Sequence, residues 1–405
     1  MTRSFCMRPV AGPAQACVRR AAQHLLNSAG SSGARPLQLR WLREWPLPES
    51  IEVRALRIAQ VSPLFESVPP KYYGGTERVV SYLTEELVAQ GHDVTLYASG
   101  DSQTRASLRP VARQSLRLDP ECIDQLAHHV LMLEHVVREA HNFDLIHFHI
   151  DYLHFPLSRR LAVPHVTTLH GRLDIPDLVP LYREFSEMPV ISISDHQRRP
   201  LAWLNWQATV HHGLPTTLLP FSPGPGRYLA FLGRISPEKR VDRAIEVARR
   251  VGLPLRIAAK VAPVDQRYFD EQIEPLLAQP HVEYLGEIAE AEKAAFLGGA
   301  AALLFLIDWP EPFGLAMIES LACGTPVIAW HCGSVPEVLR EGVSGFIVGS
   351  LDQAERAIAS IDLIDREACR KAFEERFTAS AMAGNYLRVY RELITQQLKA
   401  APAGA

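Results

Sequence analysis

From Leu56 onward the chain alternates short apolar runs with amphipathic stretches. "LRIAQVS" reads as a buried strand that ends in small residues. In "GGTERVVSYLTEELVAQG", Val79, Val80, Leu83, Leu87 and Val88 recur at helical spacing, and Gly91 predicts the stop. "DVTLYAS", "DLIHFHI", "HVTTLHG", "PVISIS" and "ATVHHG" predict further strands, with a long helix over "CIDQLAHHVLMLEHVVREAH" among them. Apolar strands that alternate with helices predict βαβ units around a parallel sheet.

The rhythm breaks at "GLPTTLLPFSPGPG" (Gly213–Gly226), where Pro and Gly cluster without periodicity, so a linker is expected there. It then restarts with "RYLAFLG", a helix from Pro237, "LRIAA", "VEYLG", "AALLFL", "TPVIAW" and "GFIV". The expected fold is α/β, two Rossmann-like doubly wound domains facing each other across a cleft. The first spans 54–218 and the second 219–376. The remaining stretch, 377–405, holds a helix free to pack back on the first domain. Ligands of such sheets bind beyond the carboxyl ends of the strands, so each strand-to-helix loop is a site candidate.

Composition adds exclusions. A chain of 405 residues with 47% hydrophobic content has material for two cores. A net charge of -3 with mixed signs argues against a nucleic-acid binder. No apolar run reaches the roughly 18 residues of a membrane span. Six scattered cysteines fit free thiols in a reducing, cytoplasmic setting better than a disulfide frame. Residues 1–53 differ: no acid precedes Glu44, while seven arginines and many Ala, Ser and Gly do. A disordered basic extension is expected there, with an organelle transit peptide as the alternative.

Four loops carry candidate chemistry. "GRISPEKR" places Arg234 and Lys239 beside a helix start, where cations, amides and macrodipole together suit a diphosphate. A solvated basic helix face would look the same. "YYGGTE" puts Gly74 and Gly75 at the first turn, where backbone can approach a ligand; an ordinary tight turn is the plain alternative. The Gly-x-Gly-x-x-Gly fingerprint is missing, which disfavours a nicotinamide or flavin enzyme. "TTLHGR" ends a strand on His170. His147 and His149 lie two apart on a strand and share a face, but without a third ligand they read as lining and packing rather than a metal site.

The fourth loop is "IDWPEPFG", followed by the helix "LAMIESLAC". Phe313, Gly314 and Leu315 fall where free helix amides meet the cleft. Glu311 precedes those amides, and Glu319 lies about two turns in. Two acceptors flanking donors suit a ligand with hydroxyls at both ends and phosphate between them, as in a nucleotide sugar.

These residues resemble a known family. Glu311 and Glu319 match the Glu-x7-Glu motif of the family-4 retaining glycosyltransferases, which have two facing Rossmann-like domains (the GT-B fold). The resemblance extends over "GGTE", "TLHG", "GRISPEK", "PEPFGLAMIESLACGTPVIA" and "GSVPEVLREGVSGFIV". It implies a nucleotide-diphosphate sugar donor, a UDP- or GDP-sugar, with no tightly bound cofactor; no metal is expected, because Arg234, Lys239 and the helix start supply positive charge and no Asp-x-Asp occurs. By the same resemblance Arg234 and Lys239 hold the diphosphate, Gly75 approaches phosphate or acceptor, Glu311 binds the sugar, Phe313 and Gly314 offer amides, Glu319 binds the ribose diol, and His170 lies by the reacting centre. The usual Gly-Gly-x-Pro-Glu turn is here Cys332-Gly333-Ser334-Val335-Pro336-Glu337, which puts the first glycine's role in doubt. "IAAKV" lacks the relatives' glycines, and Lys260 adds a third cation toward the nucleotide or is a surface lysine.

A glycoside hydrolase also uses two carboxylates, about 5–10 Å apart, but has no need of the Arg/Lys pair. A phosphorylase of the same fold, or a non-catalytic nucleotide-sugar binder, is the remaining alternative. The acceptor, a small molecule, glycan or lipid, should be set by the first domain. There "DHQRRPLAWLNW" joins Arg198 and Arg199 to Trp203 and Trp206. A basic-aromatic helix suits weak membrane-surface contact, and cleft packing suits the tryptophans equally.

Overall fold

The computed structural model describes residues 54–72 and 74–400. The expected basic extension, 1–53, lies outside them. Seven strands form the first sheet: β1 (Arg57–Val61), β2 (Asp93–Ser99), β3 (Ser107–Ala112), β4 (Leu145–Phe148), β5 (His165–Thr168), β6 (Val190–Ser192) and β7 (Trp206–Thr209). Six form the second: β8 (Tyr228–Ile235), β9 (Leu255–Val261), β10 (Val282–Gly286), β11 (Ala300–Phe305), β12 (Val327–Trp330) and β13 (Gly345–Val348). The orders are β3-β2-β1-β4-β5-β6-β7 and β10-β9-β8-β11-β12-β13, all parallel. Both sheets therefore reverse direction of winding beside their first strand, the place where doubly wound folds open a crevice.

Burial explains why the strands read as continuous apolar runs. Ile58, Ala59, Gln60 and Val61 are all inaccessible, so both faces of β1 are covered. The longer helices are α1 (Gly75–Ala89), α2 (Gln125–Glu139), α3 (Val241–Val251), α4 (Glu290–Gly298), α5 (Leu315–Ala322), α6 (Leu351–Ala359), α7 (Arg366–Arg376) and α8 (Ala379–Ala400).

Helix α8 returns to the first sheet. Tyr386 and Tyr390 are fully buried there and hydrogen-bond to Thr168 and Gln60, while Gln397 Nε2 donates to Ala162 O. Met382, Leu387 and Ile394 bury beside them, each worth about 1.5–3 kcal/mol. The two crossings between the sheets run side by side: Leu214 N donates to Phe377 O at 2.9 Å and Ala379 N to Leu214 O at 2.8 Å.

Three local expectations need correction. Strand β3 was not legible as a strand: it is an edge strand with exposed Arg109 and Pro110, and an edge tolerates both. The helix expected from Pro237 begins at Val241. A 3-10 turn covers Pro237–Lys239, and Arg240 takes a left-handed φ of 53°, anchored by ion pairs to Asp242 and Asp308. The expected basic-aromatic helix near Trp203 is a 3-10 segment, His196–Leu201. Trp206 opens β7 instead, donating Nε1–H to Leu201 O with Arg198 over its ring. No helix among the described residues is long and apolar enough to cross a membrane.

Candidate active site

The carboxyl ends of the two sheets enclose a cavity of about 930 Å³. It is lined by His170, Arg234, Lys239, Lys260, Glu311, Phe313, Gly314, Leu315 and Glu319, together with Gly74 and Gly75. The residues read from the sequence as a donor site thus line one cavity, whereas His147, Arg198, Arg199, Trp203 and Trp206 lie outside its lining. Two helices point their starts into it. Helix α1 begins at Gly75 after Gly74, and α5 at Leu315 after Gly314; neither has a side-chain cap. Their first amides lack intrahelical partners, so each start offers donors and a positive dipole end to an anion. Gly314 has a φ of 84°, a conformation that favours glycine.

Charges in the cavity are mutually paired. Lys239 Nζ bonds Glu311 Oε2, which also accepts from Trp309 Nε1 at 3.0 Å. Arg234 Nη2 donates to Glu238 at 2.6 Å, and its Nε stands 3.2 Å from Asp265 Oδ2. Lys293 of α4 bonds Glu319 at 2.7 Å and stands 3.2 Å from Glu290. Glu290 in turn holds Arg78 of α1, an ion pair that spans the cleft. Lys260 ends β9 rather than a loop and lies within electrostatic reach of Glu66.

The Glu311 loop rests on the turn after β12. A Cβ on Gly333, whose φ is 58°, would sit 2.4 Å from Glu311 N, so only glycine lets that turn press so close. Ser334 N donates to Glu311 O at 3.0 Å, and Ser334 Oγ to Phe313 O at 2.7 Å. Phe313 itself is buried, its ring against His212 and Phe377. Glu337 completes the turn by accepting from the amides of Asp195 and His196, both at 2.7 Å, and from His211. Burial opposes ionisation of Glu337, but these donors outweigh it and hold its pKa below the usual range. The carboxylate thereby ties one half of the chain to the other.

On the opposite wall, burial lowers the His170 pKa to about 3, so the imidazole is neutral. Its Nε2 is 2.9 Å from His149 Nδ1. Asp151 also lines the cavity, at a left-handed φ of 49°. Burial raises its pKa to about 6 against the pull of the His170 amide. Sequence reasoning missed Asp151, although "IHFHID" places it just past the end of β4. It also missed Lys293, Arg78 and Glu290, which carry no motif; only the tertiary fold brings them to the site.

Comparison with known proteins agrees with this geometry. Residues 221–378 match the family model described as "Glycosyl transferases group 1", and residues 73–208 match "Glycosyltransferase Family 4". A D-inositol 3-phosphate glycosyltransferase of Thermobispora bispora is 27% identical, over 66% of this chain and 74% of its own. An alpha-maltose-1-phosphate synthase of Mycolicibacterium smegmatis is 24% identical, over 82% of this chain and 99% of its own. Among solved structures, sucrose-phosphate synthase of Thermosynechococcus elongatus aligns with a TM-score of 0.70 at 18% identity, covering 85% of this chain and all of its own. HepE of Anabaena, solved with UDP and glucose, aligns with a TM-score of 0.66 at 18% identity, covering 83% and 100%. With both halves matched in order and both sheets shared, the chain belongs to the family-4 glycosyltransferases of GT-B fold.

Proposed function

We propose that this glycosyltransferase moves a sugar from a nucleotide-diphosphate sugar to an acceptor hydroxyl with retention of anomeric configuration. One observation carries the reading: a single cavity gathers Arg234 and Lys239, the uncapped starts of α1 and α5, and the carboxylates of Glu311 and Glu319. Arg234 and Lys239 take the diphosphate and neutralise the charge that develops as it leaves, aided by the amides at the start of α5. Glu311 holds the sugar hydroxyls and Glu319 the ribose diol. Each now faces a lysine, so the donor enters by exchange: phosphate takes Lys239 from Glu311, and ribose hydroxyls join Glu319 beside Lys293. Lys260 faces the nucleotide end. His170 and Asp151 lie on the acceptor wall, where the ionised Asp151 accepts a hydrogen bond from the incoming hydroxyl. Retention rests on the resemblance of the motif set to the retaining family.

The UDP complexes of HepE make uridine nucleotides the first choice of donor, with guanosine nucleotides second. The test is a panel of UDP- and GDP-sugars, read by release of nucleotide diphosphate and by NMR of the product anomer. Release from at least one donor, with α product from α donor, is expected. Binding without turnover across the panel would leave a binding protein. Turnover only with inorganic phosphate would leave a phosphorylase, and a β product from an α donor would overturn retention and make Asp151 the base of an inversion.

A further inference from the structure

Behind His170 runs a chain of polar side chains that ends on helix α8. Gln60 Nε2 donates to Tyr390 Oη at 3.2 Å, and Gln60 Oε1 lies 2.8 Å from His149 Nε2. His149 Nδ1 is 2.9 Å from His170 Nε2. Tyr390 Oη also meets His147 Nδ1 at 2.6 Å, and His147 Nε2 lies 2.7 Å from Thr168 Oγ1. Gln60, His147, His149, Thr168 and Tyr390 are all buried.

Each link has a direction. An amide oxygen only accepts, so His149 carries its proton on Nε2. Burial keeps both His149 and His170 neutral. A neutral His149 protonated at Nε2 accepts at Nδ1, so His170 donates from Nε2 and its Nδ1 is bare. That Nδ1 is buried and has no partner among the described residues. Rotating the Gln60 amide would invert every link and end on a buried His170 Nδ1–H without an acceptor. An orphaned buried N–H is rarer and costlier than an unused acceptor, which selects the first arrangement.

We propose that Gln60 and His149, seated by Tyr390, are positioning residues that lock His170 in the Nε2–H tautomer and leave a hydrogen-bond acceptor on the imidazole at the cavity wall. The proposal rests on the sugar-transfer reading only for its consequence. In the ligand-free cavity that lone pair is closed to solvent; a ligand that displaces its cover can pair with it through a hydroxyl, which donates, and not through a carboxylate, which only accepts. The last helix thereby reaches the reaction centre through three side chains.

Long-range 1H–15N spectra of protein labelled with 15N-histidine separate the two neutral tautomers, and the His170 signals are those lost in His170→Ala. The Nε2–H pattern is expected for His170 at neutral pH. An Nδ1–H pattern, or an average of the two, overturns the proposal. His149→Leu should average the His170 tautomers and lower kcat about 10–100-fold, the scale seen when a partner orienting a functional histidine is lost, with donor KM changed less than about threefold. His149→Gln can still donate to Gln60 and accept from His170, so it should keep both the pattern and most of the rate. Equal losses in the two variants, or a loss confined to KM, overturn it. The spectra need no donor: an intact Nε2–H pattern without transfer from any nucleotide sugar would sink the sugar-transfer reading and still support the tautomer lock.

Discussion

Acid should unfold this protein unusually early. His147, His149, His154, His170 and His212 sit where burial holds each imidazole neutral. Unfolded, each titrates near about 6.5. A folded pKa below the unfolded one means that the unfolded chain binds more protons as pH falls, so stability is lost from about pH 6.5 downward. The loss approaches about 1.4 kcal/mol per pH unit for each site. Between about pH 7.5 and 5.5 the five sites together lose roughly 7 kcal/mol. Asp151 works the other way: its raised pKa, about 6, lets the native state take up a proton in the same window, returning about 1 kcal/mol. Glu66 and Glu77, also raised by burial, act in the same sense as Asp151 at lower pH. The net loss of about 6 kcal/mol rivals the whole stability of an ordinary domain, about 5–15 kcal/mol. Urea unfolding followed by tryptophan fluorescence at the two pH values measures the loss. Calorimetry in buffers of different ionisation enthalpy should count about four protons or more taken up on unfolding at about pH 5.5, since His92, His129, His165 and His196 are lowered as well. Stability constant within about 1 kcal/mol, or uptake of less than about one proton, would refute the picture of buried neutral histidines.

Glu319→Gln should weaken nucleotide diphosphate binding by about 1.5–3 kcal/mol, the worth of hydrogen bonds to a charged group, measured by titration calorimetry. Glu311→Gln should instead cut kcat about 10²–10³-fold with binding of the nucleotide diphosphate largely kept, because in the proposed site the carboxylate faces the sugar where charge develops; matching affinity losses in the two variants would remove the division of roles. Asp151 should give kcat/KM an acidic limb near pH 6, the rate rising as the carboxyl ionises, and Asp151→Asn should lower the rate and abolish that limb. His170, lowered to about 3, should contribute no limb above about pH 5. Turnover should persist in excess chelator if, as proposed, Arg234, Lys239 and the α5 start meet the leaving diphosphate; near-complete loss restored by magnesium or manganese would contradict this.

What was legible in the sequence is what local physics dictates. Buried parallel strands must be apolar on both faces, so the inner strands announced themselves as apolar runs; the edge strand β3 did not, because its Arg109 and Pro110 are exposed and polar or ring-locked, and the edge strand β7 begins two residues before the run read for it. The candidate residues were found because the fold places strand-to-helix loops at one end of each sheet, and a loop's position along the chain predicts its position in space. Partnerships across long separations obey no such rule. Arg78 and Glu290 are 212 residues apart, Gln60 and Tyr390 are 330 apart, and nothing in their spacing links them. Asp151 was hidden for a different reason: its left-handed backbone and its burial are set by surrounding elements, while its sequence neighbours read as an ordinary strand end. The paired charges matter most for function. Motif residues were read as free groups awaiting a ligand, yet Glu311 and Glu319 are each held by a lysine. On the proposed function, donor binding is therefore an exchange of ion pairs, in which the donor gains less than its contacts alone would suggest. Pairing of this kind keeps Glu311 and Glu319 in place while neither is left as an isolated buried charge.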